Sequence, residues 1–201
     1  EKVLPVLTVA TDPDYSSGSW TNATSIRFTL TGSAASGINR LIDGNQVLTS
    51  PITISKPGTY VFQAVSEAGN FSAPVVYEVR FDWTTPVTTL TLKPVASNAI
   101  APYYQTRDGA GIFTITPDNG GAGRSDVTTY YRVDNGDAVV FTGSNYPADL
   151  AEGAHTVSVW GVNAAGTVEV PKSIEFSVDT VKPTGLAATV VPSGWTNQDV
   201  T

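Results

Sequence analysis

The side chains that could do acid-base chemistry are few and scattered in this sequence. General acid-base catalysis needs two titratable groups that converge in contrasting environments. Most acidic residues instead fall in segments typical of turns, and six aspartates show this clearly. These are Asp12, Asp14, Asp43, Asp118, Asp134 and Asp137. The single histidine, His155, follows the turn segment Glu152-Gly153 and has no nucleophile motif beside it. The sequence therefore predicts that the protein is not an enzyme.

Calcium is the ion that these carboxylates would suit best, because it prefers oxygen ligands and binds to many extracellular modules. Asp82 and Asp179 are the candidate ligands, since each follows an apolar segment where one repeat would meet the next. The pair Asp12 and Asp14 is a further candidate. The spacing shows no cluster of three acids, so an Asp that caps a strand end is the alternative. No other cofactor is expected.

An aromatic face is the best candidate for a binding site. The alternation that turns Val157 and Val159 inward turns Trp160 outward. The neighbouring strand should present Tyr130 and Arg132 in the same outward phase. Such a face can stack on a sugar ring and donate bidentate hydrogen bonds. The alternative is that a loop or a neighbouring domain covers Trp160.

Short strands joined by turns must position these side chains. Apolar residues alternate with polar ones along several segments, which indicates half-buried strands. The segments lie at residues 26–30, 60–64, 75–81, 113–115, 131–133, 157–161 and 174–178. Gly, Pro, Asn and Asp fall between them, as expected of turns. About seven short strands in each half of the chain predict an all-β fold of two-sheet sandwiches.

Two markers recur along the chain at one interval. Segments 82–86 and 179–183 each place an Asp four residues before a Pro, and the two prolines are 183 − 86 = 97 residues apart. Segments 67–70 and 164–167 share an Ala-Gly pair, and they too are separated by 167 − 70 = 97 residues. Two markers with one offset indicate an internal repeat.

A third copy of the repeat begins near residue 180. The segment Trp20-Thr21-Asn22 near the start returns as Trp195-Thr196-Asn197 near the end. We therefore predict domains at residues 1–81 and 82–179, followed by the truncated start of a third repeat at 180–201. The tail contains a strand-forming segment, Leu186 to Val191. Self-association through residues 180–201, by addition to an exposed sheet edge, is a further hypothesis.

These motifs resemble those of bacterial immunoglobulin-like (Big-type) tandem repeats of surface or secreted proteins. The junction 179–183, the Trp-Thr-Asn segment 195–197 and the turn 164–167 carry the likeness. The resemblance implies tandem immunoglobulin-like β-sandwiches and a location on the bacterial cell surface or in the medium. The first repeat departs from the pattern at its start, where Val3-Leu4-Pro5 stands without a preceding Asp.

Composition excludes several classes of partner. The net charge is −7 and the 11 Lys and Arg residues are dispersed, whereas nucleic acids and anionic membranes bind clustered basic residues. No apolar run approaches the roughly 20 residues that span a bilayer. The absence of Cys excludes disulfides and thiolate metal sites. The N-terminus lacks a signal-peptide pattern, so we expect the chain to be a piece of a longer exported protein.

The sequence as a whole predicts a non-catalytic spacer or stalk in a bacterial surface or secreted protein. A Pro in a short linker restricts the backbone and holds neighbouring domains semi-extended. The partners would then be the neighbouring repeats of the same protein. The alternative is an adhesive or carbohydrate-binding module that recognises a sugar, or a host or matrix protein, through the face of Trp160, Tyr130 and Arg132.

Overall fold

The computed structural model describes residues 3–97 and 99–187. Within these residues the chain forms fifteen β-strands and one helix of four residues, α1 (Gly109–Ile112). No helix in the described ranges has the length and the hydropathy needed to cross a bilayer. The sequence-based expectation of short strands without long helices is confirmed.

The first eight strands form two sheets. They are β1 (Val6–Asp12), β2 (Trp20–Thr21), β3 (Ile26–Ser33), β4 (Ile38–Asp43), β5 (Gln46–Leu48), β6 (Ile52–Ile54), β7 (Gly58–Ser66) and β8 (Val75–Phe81). One sheet has the order β1-β3-β6 and the other β2-β8-β7-β4-β5. The core between them is mainly aromatic and aliphatic, because every second residue of strands such as β3 points inward.

The last seven strands form a second pair of sheets. They are β9 (Thr89–Leu92), β10 (Tyr103–Tyr104), β11 (Phe113–Thr116), β12 (Val127–Val133), β13 (Val139–Val140), β14 (Gly153–Asn163) and β15 (Lys172–Val178). One sheet has the order β9-β11 and the other β10-β15-β14-β12-β13. Their buried side chains form a separate hydrophobic cluster that includes Phe113, Val157, Val159 and Phe176.

The two pairs of sheets repeat one register. Gly58 of β7 pairs with Val79 of β8, and the residues 97 positions later, His155 and Phe176, pair in β14 and β15. The isolated bridge between Val65 and Phe71 returns 97 residues later between Val162 and Val168. The short strands β2 and β10 each run parallel to the last strand of their own sheet. The chain therefore folds as tandem immunoglobulin-like sandwiches of eight and seven strands, which confirms the predicted fold class.

Two parts of the predicted organisation stay predictions. Strands up to Phe81 pair among themselves, as do strands from Thr89 onward, but the domain limits at residues 81 and 179 remain sequence-based. The repeated Trp195-Thr196-Asn197 and residues 188–191 of the predicted tail strand lie outside the described residues. The described start of that segment, at Leu186, is exposed and has no strand assignment.

Candidate functional site

Asp82 forms a joint between the last strand of the first sandwich and the start of the second. Its backbone N–H donates to the carbonyl of Thr21 at 3.0 Å, which ties it to β2. Its Oδ1 accepts the N–H of Thr84 at 2.9 Å. Its Oδ2 accepts both the N–H and the hydroxyl of Ser125, at 2.8 and 2.7 Å. One residue therefore holds groups of both sandwiches at once.

The environment of Asp82 favours its charged form. The residue is only 3% exposed, and this burial by itself raises the pKa of the carboxyl. The hydrogen bonds from Ser125 and Thr84 outweigh burial and lower the pKa to about 2. Asp82 is therefore a buried carboxylate whose two oxygens are satisfied by the joint.

Trp83 fixes the direction in which the chain leaves the first sandwich. Its ring stacks on Phe81, with centroids 5.1 Å apart and planes 12° apart. Its indole N–H donates to the carbonyl of Ala23 at 2.9 Å. Since Ala23 follows β2, both contacts anchor the linker on the first sandwich.

The Ala-Gly turn of the second sandwich lies at the same joint. Asn163 donates its side-chain amide to the carbonyl of Thr84 at 3.0 Å, and its Oδ1 accepts the N–H of Thr167 at 2.8 Å. Gly166 has a φ of +88°, and a Cβ there would lie 3.8 Å from the side-chain nitrogen of Asn22. The turn 164–167 of the second sandwich thus meets the Trp-Thr-Asn segment of the first. Sequence reasoning found both markers but did not predict that they meet.

Asp179 occupies the equivalent position at the end of the second sandwich. Its N–H donates to the carbonyl of Tyr104 at 2.9 Å, and its Oδ1 accepts the N–H of Val181 at 3.3 Å. Thr180, next along the chain, donates its N–H to Glu152 at 2.9 Å and its hydroxyl to the same carboxylate. Unlike Asp82, Asp179 is exposed.

The predicted calcium ligands are not brought together. Asp82 and Asp179 sit at opposite ends of the second sandwich. The described residues contain no group of three or more His, Cys, Asp or Glu side chains that could hold a metal ion. Both oxygens of Asp82 already accept hydrogen bonds. Calcium at either residue stays a prediction, and the structure offers hydrogen bonding as the role of Asp82.

The aromatic face predicted from alternation contains a stacked pair. Tyr130 of β12 and Trp160 of β14 are cross-strand partners, with ring centroids 5.7 Å apart and planes 11° apart. Both rings are half-buried. Arg132 is exposed two residues further along β12, opposite Ser158. Ser158 shares this face yet is buried, and its hydroxyl is hydrogen-bonded to that of Ser173 at 2.8 Å.

Sequence reasoning missed a buried carboxylate in the second sandwich. Glu169 is 4% exposed and accepts the N–H groups of Thr88 at 2.9 Å and Gly161 at 3.0 Å. It also pairs with Lys172 at 2.8 Å. Burial raises the pKa of Glu169, but the hydrogen bonds from Lys172, Thr88 and Gly161 outweigh it and lower the pKa below the ordinary value. A lone Glu between two valines is a weak signal, because its partners are distant in sequence.

His155 is held between two acceptors at the start of β14. Its Nδ1 lies 2.8 Å from Oδ2 of Asp134, and its Nε2 lies 2.9 Å from the carbonyl of Ala151. Burial lowers the pKa of His155, but the hydrogen bonds to Ala151 and Asp134 and the charge of Asp134 raise it above the ordinary value. The ring is 9% exposed, and both nitrogens already face acceptors.

Comparisons with known proteins identify no family for this chain. No protein-family model and no curated protein matches the chain. One similar solved structure is described as Clostridium thermocellum CbhA fibronectin(III)-like modules, with 19% identity, a TM-score of 0.46, and coverage of 90% of this chain and 100% of that one. Another is the D00-D0 domain of intimin, with 15% identity, a TM-score of 0.34, and coverage of 84% and 99%. At these values neither likeness carries an argument about this chain.

Proposed function

We propose that the chain is a non-catalytic spacer from a bacterial surface or secreted protein, in which successive sandwiches are held at a fixed angle. In this proposal residues 1–81 and 82–179 are two Big-type immunoglobulin-like domains, and 180–201 begin a third. The observation that carries the proposal is the Asp82 joint. A flexible linker would not bury a carboxylate whose hydrogen bonds reach both neighbours.

The joint resists bending because each contact restricts a different part of the linker. The N–H of Asp82 fixes it to Thr21 of the first sandwich, and its carboxylate fixes it to Ser125 of the second. Trp83 adds its stacking on Phe81. Rotation of one sandwich against the other would break both hydrogen bonds from Ser125 to the carboxylate, and hydrogen bonds to a charged group contribute about 1.5–3 kcal/mol each. A stiff joint is what a stalk needs to project a terminal domain.

The substitution Asp82→Asn tests the joint. An Asn amide placed at Oδ2 would set a donor against the two donors of Ser125 and remove the charge. We expect the relative orientation of the two sandwiches to loosen and the second sandwich to lose about 2–3 kcal/mol of stability. Residual dipolar couplings measured for each sandwich should fit one alignment tensor in the parent chain and two different tensors in the variant.

Asp137→Asn is the matched control, because Asp137 is an exposed aspartate near a turn of the second sandwich. It should leave a single tensor. Two different tensors in the parent chain itself would contradict the rigid spacer.

The pH dependence of stability offers an independent check. The pKa of Asp82 is lowered to about 2 from 3.8, so its contribution of about 2 kcal/mol to the free energy of unfolding is present above pH 3.8 and is lost as the pH falls through about 2.

A second candidate function is favoured by the stacked pair of Tyr130 and Trp160. The equivalent cross-strand pair in the first sandwich is Ile42 and Gln63, so the fold does not require aromatic rings there. Two parallel rings beside the exposed Arg132 could bind a sugar, or a host or matrix protein. Affinity electrophoresis through gels containing polysaccharides, together with a glycan array, should detect retention that Trp160→Ala abolishes. Gln63→Ala is the matched control, and absence of retention by the parent chain would contradict sugar binding.

A further inference from the structure

We propose that the joint at Asp82 recurs at Asp179. In this proposal the surface around Asp179 binds a further immunoglobulin-like sandwich, and a serine of that sandwich donates its N–H and its hydroxyl to the carboxylate of Asp179. The inference rests on the proposed spacer function and deepens it, since it names the residue and the kind of partner. The partner is a sandwich of the same type, joined through the linker that follows Asp179.

The first argument is the matching backbone geometry of the two aspartates. Asp82 donates its N–H to Thr21, the last residue of β2, at 3.0 Å. Asp179 donates its N–H to Tyr104, the last residue of β10, at 2.9 Å. Both short strands run parallel to the strand that ends just before the aspartate. Each aspartate is therefore held at the same place on its sandwich.

The second argument is the matching use of one carboxylate oxygen. Oδ1 of Asp82 accepts the N–H two residues ahead, from Thr84, and Oδ1 of Asp179 accepts the equivalent N–H, from Val181. This contact occupies one oxygen of each carboxylate. In Asp82, Oδ2 is the oxygen that binds Ser125, and that residue is 3% exposed. Asp179 is exposed, and a docked sandwich would bury it as the second sandwich buries Asp82.

The third argument is that both linkers are anchored right after the aspartate. Trp83 is held by Phe81 and by the carbonyl of Ala23. Thr180 is held by Glu152, which also pairs with Arg107 at 2.8 Å. The side chains differ, but each fixes the direction in which the chain departs. A sandwich that follows Thr180 is thereby directed to a defined position.

The fourth argument is that the required serine belongs to the repeat unit. In the second sandwich, Asp126 accepts the N–H of Ala164 at 2.8 Å. In the first sandwich, Gly37 accepts the N–H of Glu67 at 3.1 Å, and Ala164 and Glu67 are 97 residues apart. The residue before each acceptor is a serine, Ser125 and Ser36. A further repeat of this kind would bring its own serine to Asp179.

Exposed apolar side chains surround Asp179. An open groove of about 360 Å³ is lined by Ala99, Ile100, Tyr103, Gln105 and Asp179. Ile100 is 81% exposed and Tyr103 is 52% exposed. A sandwich docked at Asp179 would remove these side chains from water, which favours the contact.

A lengthened chain tests the inference. Residues 1–183 would be followed by a second copy of residues 87–179, so that Pro183 takes the place of Pro86 and the native linker after Asp179 is retained. The described strands all end by Val178, so each sandwich is complete. The readout is the hydrogen exchange rate of two amides, measured by NMR: that of Ser125 and that of the corresponding serine in the added copy.

We expect both amides to be protected in the lengthened chain. Asp179→Asn should raise the exchange rate of the added serine at least about tenfold and leave that of Ser125 unchanged. Asp82→Asn should do the reverse. Circular dichroism melting, compared with that of the 201-residue chain, shows whether the added copy is folded. Equal exchange rates of the added serine before and after Asp179→Asn would overturn the inference.

The two proposals fail in different ways. If Asp82→Asn exposes Ser125 but Asp179→Asn has no effect on the added serine, the spacer function stands and the repeated joint is wrong. If Asp82→Asn leaves Ser125 protected, the joint itself is wrong and the spacer proposal loses its support. As a second readout, small-angle scattering should show a broader distribution of interatomic distances for the Asp179→Asn variant than for the lengthened chain itself, because a loosened joint samples more orientations.

Discussion

The two sandwiches share a backbone pattern but satisfy it with different side chains. In the first, the N–H of Ala64 in β7 donates to the hydroxyl of Ser72 at 3.0 Å. In the second, the equivalent N–H of Gly161 in β14 donates to the carboxylate of Glu169 at 3.0 Å. The positions correspond, because 161 − 64 and 169 − 72 both equal 97. A buried N–H needs an acceptor, and the two sandwiches supply it with a hydroxyl and a carboxylate.

The difference arises from what else the side chain must reach. Glu169 also accepts the N–H of Thr88, and so binds the segment that enters the second sandwich. This segment passes close to β14, since a Cβ on Gly161 would lie 2.7 Å from that of Pro86. The repeat therefore gives both sandwiches the same buried N–H group. The path of the neighbouring segment decides whether a hydroxyl or a carboxylate accepts its hydrogen bond.

The largest expected loss of stability comes from removing the acceptor in the second sandwich, and it should exceed the loss from removing the acceptor in the first. Glu169→Ala should destabilise the second sandwich by about 3–5 kcal/mol, because it leaves the buried N–H groups of Thr88 and Gly161 without their acceptor and removes the ion pair with Lys172. Ser72→Ala should cost the first sandwich about 1–2 kcal/mol. Urea titrations followed by NMR cross-peaks from each sandwich measure the two effects separately.

Glu169→Gln sharpens that comparison. It keeps one acceptor oxygen but loses the charge, and we expect an intermediate loss of about 2 kcal/mol. If Glu169→Ala costs no more than Ser72→Ala, the carboxylate is not the anchor of residues 86–88.

Substitutions on the outer faces of the two sandwiches should lower the free energy of unfolding by smaller amounts. Trp160→Ala removes the ring that stacks on Tyr130 and should cost about 2 kcal/mol, because the ring is half-buried. Gln63→Ala removes a hydrogen bond to the carbonyl of Ser72 and should cost about 1 kcal/mol or less. The same urea titrations report both values. Equal losses would show that the stacked ring of Trp160 contributes no more to the stability of the fold than the side chain of Gln63.

The strands were predictable because burial alternates along them. Ile26, Phe28 and Leu30 are buried in β3 as the pattern predicted, and Val157 and Val159 are fully buried in β14. The repeat was predictable for a similar local reason, since Gly69 and Gly166 both take positive φ angles that favour glycine. Short-range patterns carry this information, so one sequence suffices to find it.

The joint was not predictable, because its contacts are not local. Asp82 and Ser125 are 43 residues apart in sequence, and no periodicity connects them. An acid at a repeat junction suggested either a calcium ligand or an Asp that caps a strand end. The burial of Glu169 was missed for the same reason, since its partner Thr88 lies 81 residues away. Sequence patterns thus found the junction markers around residues 82 and 179 but not the hydrogen bonds that join the sandwiches.

The smallest expected effect is a loss of stability at high pH, and it should occur in the second sandwich alone. His155 donates to Asp134 and Ala151 when protonated, whereas the first sandwich has Gly58 at the equivalent position. The pKa of His155 is raised above its ordinary 6.5, so its stabilisation is fully present below pH 6.5 and is lost as the pH rises through the folded value. We expect the second sandwich to lose about 1 kcal/mol between pH 6 and pH 9, since Asp134 is partly exposed and its charge is screened.

Hydrogen exchange of Val159 in β14 and Val79 in β8, corrected for the intrinsic pH dependence of exchange, compares the two sandwiches in one sample. The stability reported by Val159 should fall over this pH range, and His155→Gln should remove that dependence, while the stability reported by Val79 stays constant. The same fall in both sandwiches would assign the effect to the net charge of the chain rather than to His155.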